Sequence, residues 1–241
     1  MLIISYKSSE VFKKFLQAND FSFIETIPNP NLDKRIDDHP DLSLFKITDD
    51  TIIVDEGVYD YYKDKLGGYN IIKGEKVGEK YPRDSIYNII RIKNYYIHND
   101  ITERNIENYL SEKRVNHLKV KQGYTRCSII PLKNILITSD YGIYKALREK
   151  IAIKLVDYDE VSLDGFTQGF LGGTCGLVGN KLVFTGDITR HRAYPVIKEV
   201  CDRENIDIIY PETQLVDLGS IIEIWALSFW ELFYWLNYRI I

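Results

Sequence analysis

The sequence predicts an α/β protein, a five-bladed, pseudo-fivefold α/β propeller of ββαβ units whose last blade is closed by both termini. Three observations predict it. Ser43, Ser85, Ser128, Gly176 and Ser220 stand in similar local settings at intervals of 42, 43, 48 and 44 residues, the spacing of a structural repeat. After each of the first four comes the same order of apolar strand, polar turn, second strand, helical stretch and third strand. The fifth unit starts at Leu215 to Ile224 and then lacks its helix and last strand, while matching pieces stand at the opposite end of the chain. Closing the ring with both termini removes the unpaired edges that an open array would leave. An open α/β sandwich with accidental spacing is the competing reading.

The elements follow in order. Leu2 to Ser5 reads as a strand, Ser9 to Ala18 as a helix and Ser22 to Thr26 as a strand. In the second unit Ser85 to Ile92 and Tyr95 to His98 are strands, followed by a helix over Thr102 to Lys113 and a strand over Val115 to Val120. In the third, strands over Cys127 to Pro131 and Asn134 to Thr138 precede a helix from Tyr141 to Glu149, capped by Ser139 or Asp140, and a strand from Ile151 to Val156. The fourth has strands at Gly176 to Val178 and Lys181 to Phe184, a helix near Tyr194 to Glu204 and a strand at Ile206 to Tyr210. One propeller domain therefore fills residues 1–224. Residues 225–241, with seven aromatics including all three tryptophans, form a distinct tail. The tail is too short and too interrupted by Glu231, Asn237 and Arg239 to span a bilayer; packing on the domain, self-association and lying on a membrane surface are its expected uses.

Composition narrows the function. A net charge of -4 supplies no basic field for a phosphate backbone, so no nucleic-acid partner is expected. Cys127, Cys175 and Cys201 are odd in number and widely spaced, which argues against disulfides and zinc motifs. No His-x-Glu or zincin spacing occurs. The run from Gly169 to Gly179 lacks the Gly-Lys-Ser/Thr of a phosphate loop. No metal or cofactor is expected. The N-terminus lacks the order of a cleavable signal and no transmembrane segment is present, which implies a cytoplasmic location.

The five-unit pattern and two short motifs resemble the pentein, or guanidino-group modifying enzyme, superfamily. YPRDS at residues 81–85 and YTRCS at 124–128 resemble the F-T-R-D segment of arginine deiminases, and LGGTCGLVGNKLVFTG at 171–186 resembles their E-G-G-D segment. The HPD, QGYxxCS and GGxxG pattern is similar to that of a clostridial-type branch of the fold. The chain departs from the enzymes where their acidic residues fall on Leu171, Thr174 and Cys127, and its final unit lacks their nucleophilic cysteine. The resemblance implies hydrolase or amidinotransferase chemistry on, or binding of, a small cationic guanidino or amino compound in the central channel. It implies equally a non-catalytic binding module acting through its outer surface, like the ribosome anti-association initiation factor.

In such a ring the segments at the five anchors converge on the axis. Cys127 is the candidate nucleophile, with Arg126 beside it to favour the thiolate, and His39 is the candidate acid/base. Asp84 completes the catalytic set. Asp41, Arg126, Thr174, Cys175 and Asp217 are the candidate substrate contacts, the carboxylates gripping a planar cation. Each has a plain alternative: cysteines fill cores, carboxylates close turns, and glycine-rich runs serve tight backbone packing. Cys201 reads as core, His98 and His117 as solvent-facing or edge residues, and Asp140 and Asp187 as helix caps.

Overall fold

The computed structural model describes residues 1–157 and 160–224; the aromatic tail lies outside them. The chain opens with β1 (Leu2–Ile4), α1 (Glu10–Ala18) and β2 (Phe23–Glu25). Unit one holds α2 (Pro40–Ser43), β3 (Leu44–Lys46), β4 (Thr51–Val54), α3 (Tyr59–Lys65) and β5 (Asn70–Lys73). Unit two holds a 3-10 turn (Arg83–Ser85), β6 (Ile90–Ile92), β7 (Tyr95–His98), α4 (Arg104–Glu112) and β8 (Asn116–Lys119). Unit three holds α5 (Thr125–Ser128), β9 (Ile129–Pro131), β10 (Leu136–Thr138), α6 (Tyr141–Leu147) and β11 (Ile153–Leu155). Unit four holds a 3-10 turn (Gly172–Thr174), β12 (Cys175–Val178), β13 (Lys181–Phe184), α7 (Tyr194–Glu204) and β14 (Asp207–Ile209), and β15 (Ile222–Glu223) follows.

These strands make five three-stranded sheets, each with its second strand in the middle, antiparallel to the first and parallel to the third. The helix between second and third strands is the crossover that a parallel pair requires. The fifth sheet has the order β15-β1-β2, with Leu2 opposite Glu223 and Ile3 opposite Ile222. Both termini thus build one blade.

Alternation along the middle strands shows how the blades stack. In β1, Leu2 and Ile4 pack with Val178 and Val183 of unit four, whereas Ile3 packs with Leu44, Ile52 and Val54 of unit one. In β10, Leu136 faces Ile90 and Ile97 of unit two, and Ile137 faces Leu182 and Phe184 of unit four. Because side chains alternate along a strand, each middle strand serves two neighbouring cores. Unit five, lying between four and one, closes the ring. Helices cover these cores with apolar stripes, such as Phe12 and Leu16 of α1 or Ile106 and Leu110 of α4. Ser9, Glu103 and Asp140 cap α1, α4 and α6 by accepting from backbone N–H groups of the first turn. Asp187 instead accepts from Thr189 N ahead of α7, so it closes a turn and caps no helix.

One departure positions the site. Ser43, Ser85 and Ser128 do not begin first strands, as the sequence suggested for Ser85 and for Cys127 beside Ser128, but end short helical turns ahead of them, whereas Gly176 lies within β12 and Ser220 just ahead of β15. Apolar content alone cannot separate a turn of helix from a strand end over four residues.

Candidate active site

The helical turns of units one to four and the stretch from Asp217 to Ser220 meet at the axis. Backbone bonds stitch them together: Asp41 N donates to Gly219 O, Ser220 N and Leu218 N donate to Gly173 O, and Arg126 N donates to Asn88 O. His39 is extended (φ -68°, ψ 114°), as a residue before proline must be, and Pro40 starts α2. That arrangement points both His39 and Asp41 inward, with 3% and 2% exposure.

Cys127 Sγ donates to Asp41 Oδ2 at 3.1 Å and accepts from Asn88 Nδ2 at 3.2 Å. Donor atoms of His39, Cys127 and Asp217 lie within 4.8 Å of one another. Ser220 Oγ donates to Asp41 Oδ2 at 2.6 Å, while Asp41 Oδ1 is buried without a hydrogen-bond partner. Ser220 holds this position with φ +68°, a strained region for a residue with a Cβ. Asp217 accepts from Phe170 N at 2.8 Å and Gly219 N at 3.0 Å. A Cβ on Gly173 would stand 1.9 Å from Asp217 Oδ1, so glycine makes room for this carboxylate.

The electrostatics follow from burial among carboxylates. Desolvation pushes Asp41 up to about 6, against the pull of His39, Ser220 and Arg126. Asp217 is raised by burial too. Burial, then the charges of Asp41 and Asp217, raise the Cys127 thiol well above its ordinary value. Arg126, the expected stabiliser of the thiolate, is not among the chief influences on the thiol. Its guanidinium reaches toward the carbonyls of Ile129, Gly172 and Cys175 at 3.3 to 3.4 Å instead.

The other candidates are placed as follows. Asp84 accepts a 2.6 Å bond from Tyr124 OH and keeps a buried oxygen without a partner, and burial raises its carboxyl. No bond joins it to Cys127; Asp41 takes the place beside the sulfur. Tyr124 packs between Tyr81 and Phe170, with ring centroids 5.6 and 5.9 Å away. Thr174 spends its hydroxyl on Leu171 O at 2.6 Å. Cys175 lies in the apolar cluster with Ile130, Leu182 and Phe184, its thiol pushed up to about 12 by burial, and Cys201 shares that cluster. Cys127 belongs to none of the apolar clusters of the described residues.

Asn88 and Ser220 were not singled out as site residues. Asn88 accepts from Arg126 N at 2.6 Å and Cys127 N at 3.1 Å while its amide donates to the sulfur, so it ties units two and three together. A lone amide inside the apolar run Ile86 to Ile92 was its sequence signal. His98, expected in solvent, is fully buried: Ser85 O and Gly123 O lie at 3.1 and 3.0 Å from Nε2 and Thr102 Oγ1 at 2.9 Å from Nδ1, and burial lowers it to about 4.

A cavity of about 320 Å³ reaches Asp41 and Arg126. Lys46, Arg91, Pro131, Leu177 and Glu223 line it, so all five sheets contribute, with Arg91 from β6 and Glu223 from β15.

Residues 3–222 match a family of unknown function (DUF6873). The chain belongs to that family. No curated protein sequence matches it. Among solved structures it is similar to a dimethylarginine dimethylaminohydrolase mutant from Pseudomonas aeruginosa complexed with citrulline, at 12% identity and TM-score 0.53, covering 88% of this chain and 91% of that one. It is similar also to an amidinotransferase from Microseira wollei in the saxitoxin biosynthetic pathway, at 10% identity and TM-score 0.55, covering 92% and 80%. A mutant agmatine deiminase of C. jejuni with substrate bound matches at 9% identity and TM-score 0.55, covering 91% and 81%. These likenesses establish the fold: this DUF6873 chain has the five-unit pentein fold that its repeats and motifs resembled. Among its described residues no helix is long and apolar enough to cross a membrane.

Proposed function

We propose that this DUF6873 chain acts on a small cationic guanidino or amino compound at the ring axis, through covalent chemistry on Cys127. The observation that carries this reading is the setting of the sulfur. Of the three cysteines, Cys127 alone has its sulfur in contact with a carboxylate and an amide, 3.1 Å from Asp41 and 3.2 Å from Asn88, with His39 and Asp217 within 4.8 Å. Buried carboxylates without a cation are costly, and a planar cation seated against Asp41 and Asp217 would offset that cost. The same cation would cancel the negative field that keeps the thiol protonated, so substrate itself would favour the thiolate.

The step is then conventional in its balance. The Cys127 thiol passes its proton to His39, its sulfur bonds to the electrophilic carbon, the C–N bond to the leaving amine breaks, and His39 returns that proton to the amine. Water releases the product in a hydrolase, or an acceptor amine in a transferase. Asp84, through Tyr124, belongs to the wall of this site and not to its reacting atoms.

The competing reading is a binding module without chemistry. It is favoured by the resting thiol, which burial and two carboxylates hold protonated. Incubation with agmatine, arginine and methylated arginines, followed by amine-release assays and intact mass measurement, separates the two. The enzyme reading expects amine release and a covalent adduct on Cys127, both lost in Cys127→Ser. Binding of such a cation with no release and no adduct would establish the module instead.

A further inference from the structure

We propose that His39, Cys127 and Asp217 form a binding site for a zinc-class divalent transition metal. This goes beyond the thiol chemistry above and does not rest on it. One imidazole nitrogen, one sulfur and one carboxylate oxygen lie within 4.8 Å of one another, and all three residues are buried. Mixed nitrogen, sulfur and oxygen donors suit Zn²⁺ and exclude the hard cations that take oxygen alone. Tetrahedral zinc with bonds of roughly 2.0 to 2.3 Å holds its donors about 3.3 to 3.8 Å apart. The three groups therefore need to close by about 1 Å, within the reach of small side-chain rotations.

A second observation points to a cation. Asp41 Oδ1 is buried with no hydrogen-bond partner, while Oδ2 of the same carboxylate touches the Cys127 sulfur. An orphan carboxylate oxygen beside a ligand set is a ready fourth donor, or the partner of a bound water. The surroundings orient the donors as metal sites require: two backbone N–H groups hold Asp217, Asn88 steers the sulfur, and Pro40 holds the backbone of His39 extended. Local spacing could not announce the set, because its members come from units one, three and five.

Bound as thiolate, Cys127 has no free sulfur for a thiol reagent, so metal and alkylation exclude one another. The test uses the full chain, freed of metal by a chelator and titrated with Co²⁺. One Co²⁺ per chain should bind with a thiolate-to-cobalt charge-transfer band, and Zn²⁺ should displace it. Cys127→Ser should abolish the band, His39→Gln should weaken Co²⁺ binding tenfold or more, and Cys201→Ser should change neither. If Cys127→Ser fails to fold, His39→Gln and protection of Cys127 from alkylation by Zn²⁺ carry the test. No charge-transfer band in the wild-type chain, or a band that survives in Cys127→Ser, overturns the proposal. No readout involves substrate, so absent turnover leaves the metal site standing, and absent metal leaves the thiol chemistry standing.

Discussion

Asp41 carries the clearest linkage between site and stability. Its carboxyl rises from 3.8 to about 6 because burial penalises the charge, a difference worth about 3 kcal/mol between protonation states. The folded chain therefore binds this proton more tightly than the unfolded chain does. The corresponding stability is full below pH 3.8 and is lost as pH climbs to about 6. Asp41→Asn, which does not titrate, should gain on the wild type by up to about 3 kcal/mol between about pH 4 and about pH 7. Urea melts of both proteins at the two pH values read this directly, and a constant gap would show an ordinary carboxyl. The variant should also lose affinity for a guanidinium ligand, since the proposed function needs the charge that stability disfavours.

At the scale of elements, the helical turn at Gly172 explains itself by what surrounds it. A Cβ on Gly172 would meet the carbonyl oxygens of Ile129, Cys127 and Arg126 at 2.4, 2.6 and 2.7 Å. These are backbone atoms of the neighbouring blade and cannot swing aside. Gly172→Ala should cost about 2 to 4 kcal/mol, in the range of other strained backbone substitutions, and lower the melting temperature accordingly. Gly67, whose Cβ would meet nothing within 4 Å, supplies the control: Gly67→Ala should be neutral or slightly stabilising. Equal losses at both positions would contradict the packing account. The glycine run is thus a close-packing device that seats Asp217.

For the whole molecule, the decisive feature is the shared fifth blade. β1 is the middle strand of its sheet, and Leu2, Ile3 and Ile4 are all buried, facing two different cores. Terminal residues are usually dispensable. Here, removing residues 2–4 forfeits about 5 to 9 kcal/mol of burial, comparable with the total stability of an ordinary domain. The truncated chain should lose cooperative thermal unfolding in circular dichroism. A sharp transition retained near the wild-type temperature would mean that the ring does not depend on its closing blade.

The sequence by itself determined the repeat, the strand and helix order of each unit and the split of the fifth between the termini. Those features are written in hydrophobic period and interval, which are local or regular. It also brought His39, Asp41, Cys127 and Asp217 to one axis, because the repeat register carries that geometry. Tertiary structure alone decided which groups touch. It put Asp41 rather than Asp84 against the sulfur, sent Cys175 into an apolar core, turned Arg126 toward carbonyls and buried His98. The placements of Asp41, Asp84 and Arg126 depend on side-chain direction at a helical turn, where one residue of shift rotates a group by about 100°, those of Cys175 and His98 on which face of β12 and β7 they take, and all of them on contacts between units that no local pattern records. The thiol's charge state was equally beyond the sequence, since it follows from burial and from carboxylates contributed by two other blades.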